Sequence, residues 1–421
     1  MANVSSSNGL EKRPKLRFPG FDEPWNPALL SDYFAKNIKK NTDGAITNVI
    51  CNSAKQGLIP QRDYFDKDIA NSDNTDGYYI IETNDFVYNP RKSADAPYGP
   101  ISSYKYPEAG IVSPLYLCFR AKQEINPLFF EWYFRSSAWH RYIYMSGDSG
   151  ARHDRVSIKD DTFFAMPINV PTAKEQDRIA SFLNAIELRI DKQRALVEAL
   201  KKYKRGLSDT LFAQIAQSPD CVIVKFGEAF ELLQNNTFSR EELTDKPSSV
   251  QNIHYGDVLI KYGAVVNIAT DMPPYIKPSN DLQKFSRTSY LCDGDVVFAD
   301  TAEDYSVGKA TEIIGVNGVS VLSGLHTIPC RPFKKFQPMY LGYYFNSSLF
   351  RAQIYPLVQG TKVSSISKGE LVKVSVHIPN EGDQRRIASM LYSLDLRIVH
   401  EEQQVKALTD ARAAFLQQLF I

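Results

Sequence analysis

Residues 178–190 read RIASFLNAIELRI, and residues 386–398 read RIASMLYSLDLRI. The likeness extends at a constant offset of 208 positions from 171–212 onto 379–420, with fifteen identities in 42 aligned positions and no gap. A repeat of that length is a whole architectural unit. Each copy opens on a helix-start signal: Pro171 and Thr172 followed by Glu175, then Pro379 and Asn380 followed by Asp383. Apolar residues follow with alternating spacings of four and three. In the first copy they are Ile179, Leu183, Ile186, Ile190, Val197, Leu200, Leu207 and Leu211; in the second, Ile387, Leu391, Leu394, Ile398, Val405, Leu408, Phe415 and Leu419. Polar residues interrupt the seam at matching places, Gln193 and Lys204 in one copy and Glu401 and Arg412 in the other. A heptad seam sustained this far predicts coiled-coil packing, and polar seam residues fix register or are tolerated at a solvated edge. Residues 172–216 form a helix of roughly 65–70 Å on this reading. Gly206 weakens its interior, and Ser218-Pro219 ends it. The economical partner for each seam is the other copy, running antiparallel.

Ahead of each helix lies a segment rich in Tyr, Phe, Gly, Asn and Ser, residues 25–170 and 221–378. Short β-branched or aromatic runs sit between turn signals there: GYYIIET, NDFVYNP, GDVLIKYG, GDVVFAD and VLSGLHTIPC. Landmarks recur between the segments. NPLFFEWYFRSS at 126–137 answers QPMYLGYYFNSS at 337–348, each read as a short amphipathic helix, and LLSDYF at 29–34 answers KFGEAF at 225–230. The expected fold class is mixed α/β: two globular domains joined by two long antiparallel coiled-coil helices, a tandem duplication. The expected divisions are a first domain over 1–170, a helix over 171–217, a second domain over 218–378 and a helix over 379–421.

Composition narrows the function classes. A chain of 421 residues with 43% hydrophobic and 12% aromatic residues suits two or three packed domains. Lys and Arg number 49 against 48 Asp and Glu, so bulk charge does not mark a nucleic-acid binder and local basic patches must carry that case. Five scattered cysteines, Cys51, Cys118, Cys221, Cys292 and Cys330, without a CxxC pair, fit a reducing cytosol and argue against a disulfide framework or a zinc site. No apolar run approaches membrane-span length, and the polar start MANVSSSNGLEKRPK lacks a secretory core; a cytoplasmic protein without membrane contact is expected.

Enzyme signatures are missing: no GxxxxGK[ST] loop, no GxGxxG turn and no metal-ligand spacing among six histidines. DMPPYIKP at 271–278 resembles the Asp-Pro-Pro-Tyr loop of adenine methyltransferases, but Met272 separates Asp271 from the prolines and no glycine-rich cofactor turn precedes it. It reads instead as a rigid loop with Tyr275 at its tip and Lys277 behind. The turns SGARHDRVS at 149–157 and QGTKVSSIS at 359–367 combine glycine, small hydroxyls and cations, a composition that suits a phosphate. Candidate DNA-binding residues are therefore Arg152, Arg155, Lys277, Lys362, Ser364 and Ser365. A plain polar turn is the alternative for both loops.

The repeated P…QxRIAxxLxxxxLRI helices resemble those of the specificity subunits of type I restriction-modification systems. So do LRFPGFDEPW at 16–25 and the Gly-x-Arg/Lys turns Gly150-Ala151-Arg152 and Gly360-Thr361-Lys362. The resemblance spans nearly the whole chain. It implies two target-recognition domains that each read half of a split DNA sequence, helices that set the spacing, and no catalysis by the chain itself. It also implies double-stranded DNA, two methylating subunits and two restriction subunits as partners. S-adenosylmethionine, ATP and Mg2+ would be used by those partners, and this chain would bind no cofactor. Two other readings stay open at this point: a single-chain DNA adenine methyltransferase with its own cofactor site, and a coiled-coil scaffold that never touches DNA.

Overall fold

A computed structural model describes residues 13–64, 75–147, 154–360 and 363–421. The chain forms two compact units, residues 1–193 with 404–421, and residues 194–403. Each unit thus holds one globular domain, part of the helix that follows it and part of the other helix. The repeated stretch is helical in both copies, Ala173–Gln217 (45 residues) and Glu381–Leu419 (39 residues). Every seam position, polar ones included, is buried or half-buried, while the residues flanking the seam are mostly exposed. Helix propensity alone does not stabilise helices of this length; the buried seam does. The helix passes through Gly206 without a break.

The helix starts repeat their details. Gln176 donates its side-chain N–H to the Pro171 carbonyl at 2.9 Å, and Gln384 does the same to Pro379 at 2.8 Å. Asn380 accepts the Asp383 N–H at 2.9 Å, the expected cap. In the first copy Glu175 instead gives both carboxylate oxygens to Arg17, at 2.7 and 2.8 Å. That fully buried carboxylate anchors the LRFPGFDEPW segment to the helix.

The first unit contains the antiparallel pair Asn26–Leu29 with Pro167–Val170. Its main sheet has four antiparallel strands in the order Phe34–Lys36, Leu117–Ala121, Phe86–Tyr88, Ile101–Ser103. The second unit pairs Val222–Lys225 with Ser375–Ile378 in the same way. Its sheet runs Phe230–Leu232, Thr327–Pro332, Val296–Ala299, Ala310–Ile314, Val265–Asn267, the last pair parallel. An arginine pair to a buried aspartate recurs in both. Arg120 grips Asp85 at 2.6 and 2.7 Å, and Arg331 grips Asp295 at 2.9 and 2.6 Å. Each aspartate follows a left-handed residue, Asn84 or Gly294, and accepts a backbone N–H three residues upstream, from Glu82 or Cys292.

Both cores are aromatic and include helix ends. In the first unit Trp25, Phe34, Phe129 and Phe130 pack with Ile179 and Leu183 from the start of one helix and Leu419 and Phe420 from the end of the other. In the second, Phe226, Tyr340 and Tyr344 pack with Leu211, Phe212 and Ile215 and with Ile387 and Leu391. The start of one helix beside the end of the other is antiparallel packing, found within each unit separately.

Three expectations are corrected. GDVLIKYG is a helical turn, Tyr255–Ile260, because His254 accepts the Gly256 N–H at 3.1 Å and caps it. The helix Tyr340–Phe345 is not amphipathic, since all six residues are buried, whereas Pro127–Arg135 keeps an edge where Leu128 and Arg135 are exposed and Arg135 pairs with Glu131. Tyr275 is not a loop tip; Tyr275–Ile276 is a strand between Leu243–Thr244 and Val250–Ile253, with Pro273 and Pro274 buried behind it.

Candidate nucleic-acid interface

In the first unit the hairpin of Ile50–Ser53 and Gly57–Pro60 turns through Ala54, Lys55 and Gln56, with Gly57 at φ 72°. Beside it, the loop after Phe86–Tyr88 is tied to the chain just before Asp160–Phe164. Val156 N–H meets the Pro90 carbonyl at 2.9 Å, Lys92 N–H meets Asp154 at 2.8 Å, and Arg91 and Arg155 form a β-bridge. These pieces line a cleft of about 810 Å³.

The floor of this cleft is structural. Asn52 donates to the carbonyls of Val87 and Pro100 and accepts from Ser102, and Asn89 donates to the Asn52 carbonyl and accepts the Arg91 N–H. Its rim has spare hydrogen-bonding capacity. Among the described residues, exposed Gln56 has an unused side-chain amide and Lys92 has no carboxylate in ion-pair reach. The pairs Lys55–Asp95 at 3.5 Å and Arg91–Asp154 at 3.8 Å are solvent-exposed and contribute little. Half-buried Arg155 holds its Nε out of water without a partner among the described residues. An unsatisfied guanidinium N–H is costly to bury, and no carboxylate among the described residues pairs with this cation. Burial pushes the phenol of Tyr116, on the same wall, above its ordinary value, so it stays a neutral donor. Cations with an amide at an open cleft suit nucleic acid: cations neutralise phosphates, while Gln and Arg can pair with purine edges.

Of the sequence-derived candidates, Arg155 belongs to this cleft. Arg152 and Lys362 lie outside the described residues. Ser364–Ser365 is a short strand paired with Thr301–Ala302, and the turn before it is closed by reciprocal backbone bonds between Gln359 and Ser365 at 3.0 and 2.8 Å. Gly360 is at φ 107° with its backbone against Val363, so a side chain there would collide. The Ser365 N–H is thus committed to the turn, which leaves its exposed hydroxyl as the group a phosphate would meet. Lys277 is exposed, one residue beyond its strand. Lys55, Gln56, Arg91 and Lys92 were not singled out by sequence. Their only signal was two polar runs, SAKQG and NPRKS, with no periodicity to set them apart.

The seam residues form matched pairs. Lys204 pairs with Asp395 in the second unit, and Arg412 with Glu187 in the first. These pairs exchange under the 208-residue offset. Tyr343 also donates to Asp395 at 2.7 Å, and Arg135 approaches Glu187 at 3.7 Å. Glu401 is buried and paired with Arg397. Gln193 is half-buried. Among the described residues no group of three or more His, Cys, Asp or Glu is placed to hold a metal, and no helix is long and apolar enough to cross a membrane.

No family model matches the chain, and no curated protein matches it in sequence. Solved structures do. A chain from work on complex assembly and conformational transition of a type I R-M system superposes with TM-score 0.60 at 16% identity, over 96% of this chain and 99% of that one. The HsdS subunit from Thermoanaerobacter tengcongensis gives 0.51 at 16% identity, over 95% and 97%. The type I restriction-modification S subunit from M. genitalium gives 0.53 at 13% identity, over 97% and 99%. Across nearly its whole length, the chain has the fold of the type I restriction-modification S subunits.

Proposed function

We propose that the chain is the DNA-recognition subunit of a type I restriction-modification complex, itself without catalysis. One observation carries the reading: two domains with one internal frame but unlike sequences, each built onto the ends of two alike helices. Like helices give equivalent placement; unlike sequences give different half-sites. Each domain reads one half of a split duplex sequence, and the helices fix the interval between the halves.

The helices also support the partner assignment. Ser181, Leu188 and Ala199 are identical to Ser389, Leu396 and Ala407, yet all six are exposed and none serves the seam. Leu188 and Leu396 are 55% and 54% exposed. An exposed feature written twice suits two copies of one partner. Two methylating subunits dock there, with S-adenosylmethionine as their methyl donor, and two restriction subunits use ATP and Mg2+. The complex works in the cytoplasm, on DNA.

Calorimetry separates this from a single-chain methyltransferase. The isolated chain is expected not to bind S-adenosylmethionine, whereas its complex with the methylating subunit binds it and methylates adenine in duplex DNA. Stoichiometric binding by the isolated chain would defeat the reading.

A further inference from the structure

The second unit contains a cleft of about 920 Å³ between its part of the first long helix and its globular domain. Lys204 and Arg205 come from the helix, Tyr305 and Lys309 from the loop after Thr301–Ala302, and Arg351 and Tyr355 from the helix Ser348–Ile354 and its end. Of the five cations that line it, Lys201 pairs with Glu402 and Lys204 with Asp395, while Arg205, Lys309 and Arg351 have no carboxylate in ion-pair reach among the described residues. Lys309 gives one N–H to the Leu259 carbonyl at 2.8 Å and has no carboxylate in ion-pair reach among the described residues. The charges nearest to it are Arg351 and Lys204, and burial together with these cations lowers its ammonium from the ordinary value.

Arg351 likewise has no carboxylate within ion-pair reach among the described residues, although exposed Asp304 is near enough to act on it electrostatically. It donates Nη2 to the carbonyls of Tyr305 and Val307 at 2.7 and 3.1 Å and Nε to Tyr355 at 3.2 Å, and its Nη1 is buried without a partner. Arg205 is exposed and unpaired among the described residues. Two acids share the cleft. Asp395 is already taken by Lys204 and Tyr343, and Asp209 sits exposed.

We infer that this cleft seats a backbone phosphate of duplex DNA, held by Arg205 and Lys309 with the charge of Arg351 behind them, as a sequence-independent anchor beside the second recognition domain. This rests on the proposed DNA-reading function. A guanidinium edge beside an ammonium matches a tetrahedral oxyanion. DNA is favoured as its source because the cleft wall carrying Tyr305 and Lys309 continues directly from Thr301–Ala302, the strand paired with Ser364–Ser365. Antiparallel pairing sets Ala302 beside Ser364, so the loop that carries Tyr305 and Lys309 leaves the same end of this two-stranded ladder at which the chain enters Ser364–Ser365.

The test measures affinity for a labelled duplex of arbitrary sequence across a salt series, using the chain in complex with its methylating subunit. Arg205→Gln with Lys309→Gln should weaken binding several-fold at low salt and make the log–log salt slope shallower by about one to two, since each phosphate contact contributes about 0.9. Lys309→Arg should keep the parental slope. If Lys309→Gln does not fold, Arg205→Gln alone decides, with a slope shallower by about one. An unchanged slope in a complex that binds duplex overturns the phosphate anchor and leaves the DNA-reading function standing. Inorganic phosphate bound by the parent and lost in the variants, with the duplex slope unchanged, overturns DNA as the source. Loss of the methylating subunit from the variants, again with an unchanged slope, overturns it in favour of an acidic protein segment. A parental complex that binds no duplex at all removes the function itself.

Discussion

Arg412 against Glu187 and Lys204 against Asp395 are one contact written twice, and reversing a charge tests it. Arg412→Glu places like charges in a half-buried seam, and a loss of about 1 kcal/mol is expected in denaturant unfolding, recovered when Glu187→Arg is added. Additive losses would mean the two side chains do not meet. Glu312 offers a second test. Burial pushes its carboxyl up to about 7, although it accepts the N–H groups of Met339 and Gly342 at 2.7 and 2.9 Å. The folded chain then holds this proton more tightly than the unfolded chain. Its stability contribution is complete below the ordinary carboxylate value and is lost as pH rises toward about 7. Between about pH 5 and about pH 7 the parent should therefore lose stability relative to Glu312→Gln, and parallel pH profiles would contradict this. The polar seam residues were legible because they broke a pattern. Gln56, Arg91 and Glu312 were not, because their roles come from contacts between strands far apart in sequence.

At the scale of elements, the two helices were the most legible part of the molecule. Their seams are periodic, and periodicity survives without knowledge of partners. The helical turn at Tyr255–Ile260 was missed because His254, a weaker signal than Ser or Asp, supplies its cap. The helices Pro127–Arg135 and Tyr340–Phe345 were found, but the all-round burial of the second depends on neighbours that the local pattern does not reveal. Phe420 tests how the chain's end contributes. It packs edge-on to Trp25 at 6.4 Å and lies 5.6 Å from Phe129, and the Leu16 N–H bonds to the Gln418 carbonyl at 3.0 Å. Phe420→Ala should cost about 3 kcal/mol, borne by the first unit, and hydrogen exchange should rise there before it rises in residues 194–403. Uniform loosening of both units would contradict that assignment. Deleting one heptad from each helix, residues 189–195 and 397–403, keeps the seam in phase and removes about 10 Å of length. If the helices measure DNA, the interval between half-sites shrinks while each half keeps its sequence. Altered base preference at an unchanged interval would refute the ruler.

For the whole molecule, duplication is the organising fact, and it extends beyond the helices into frames that the sequence barely shares. The Asp85–Arg120 and Asp295–Arg331 pairs occupy the same place in both sheets, yet only a short turn signal before each aspartate hinted at them. The domain sequences differ, as the proposed reading of two different half-sites requires. The direct measurement is the modification pattern of a host genome with and without this chain, its methylating subunit present in both. The account predicts that methylated adenines dependent on this chain fall in a two-part motif, two short specified sequences separated by a constant number of unspecified base pairs. One continuous motif, or the same methylation with the chain deleted, would contradict it.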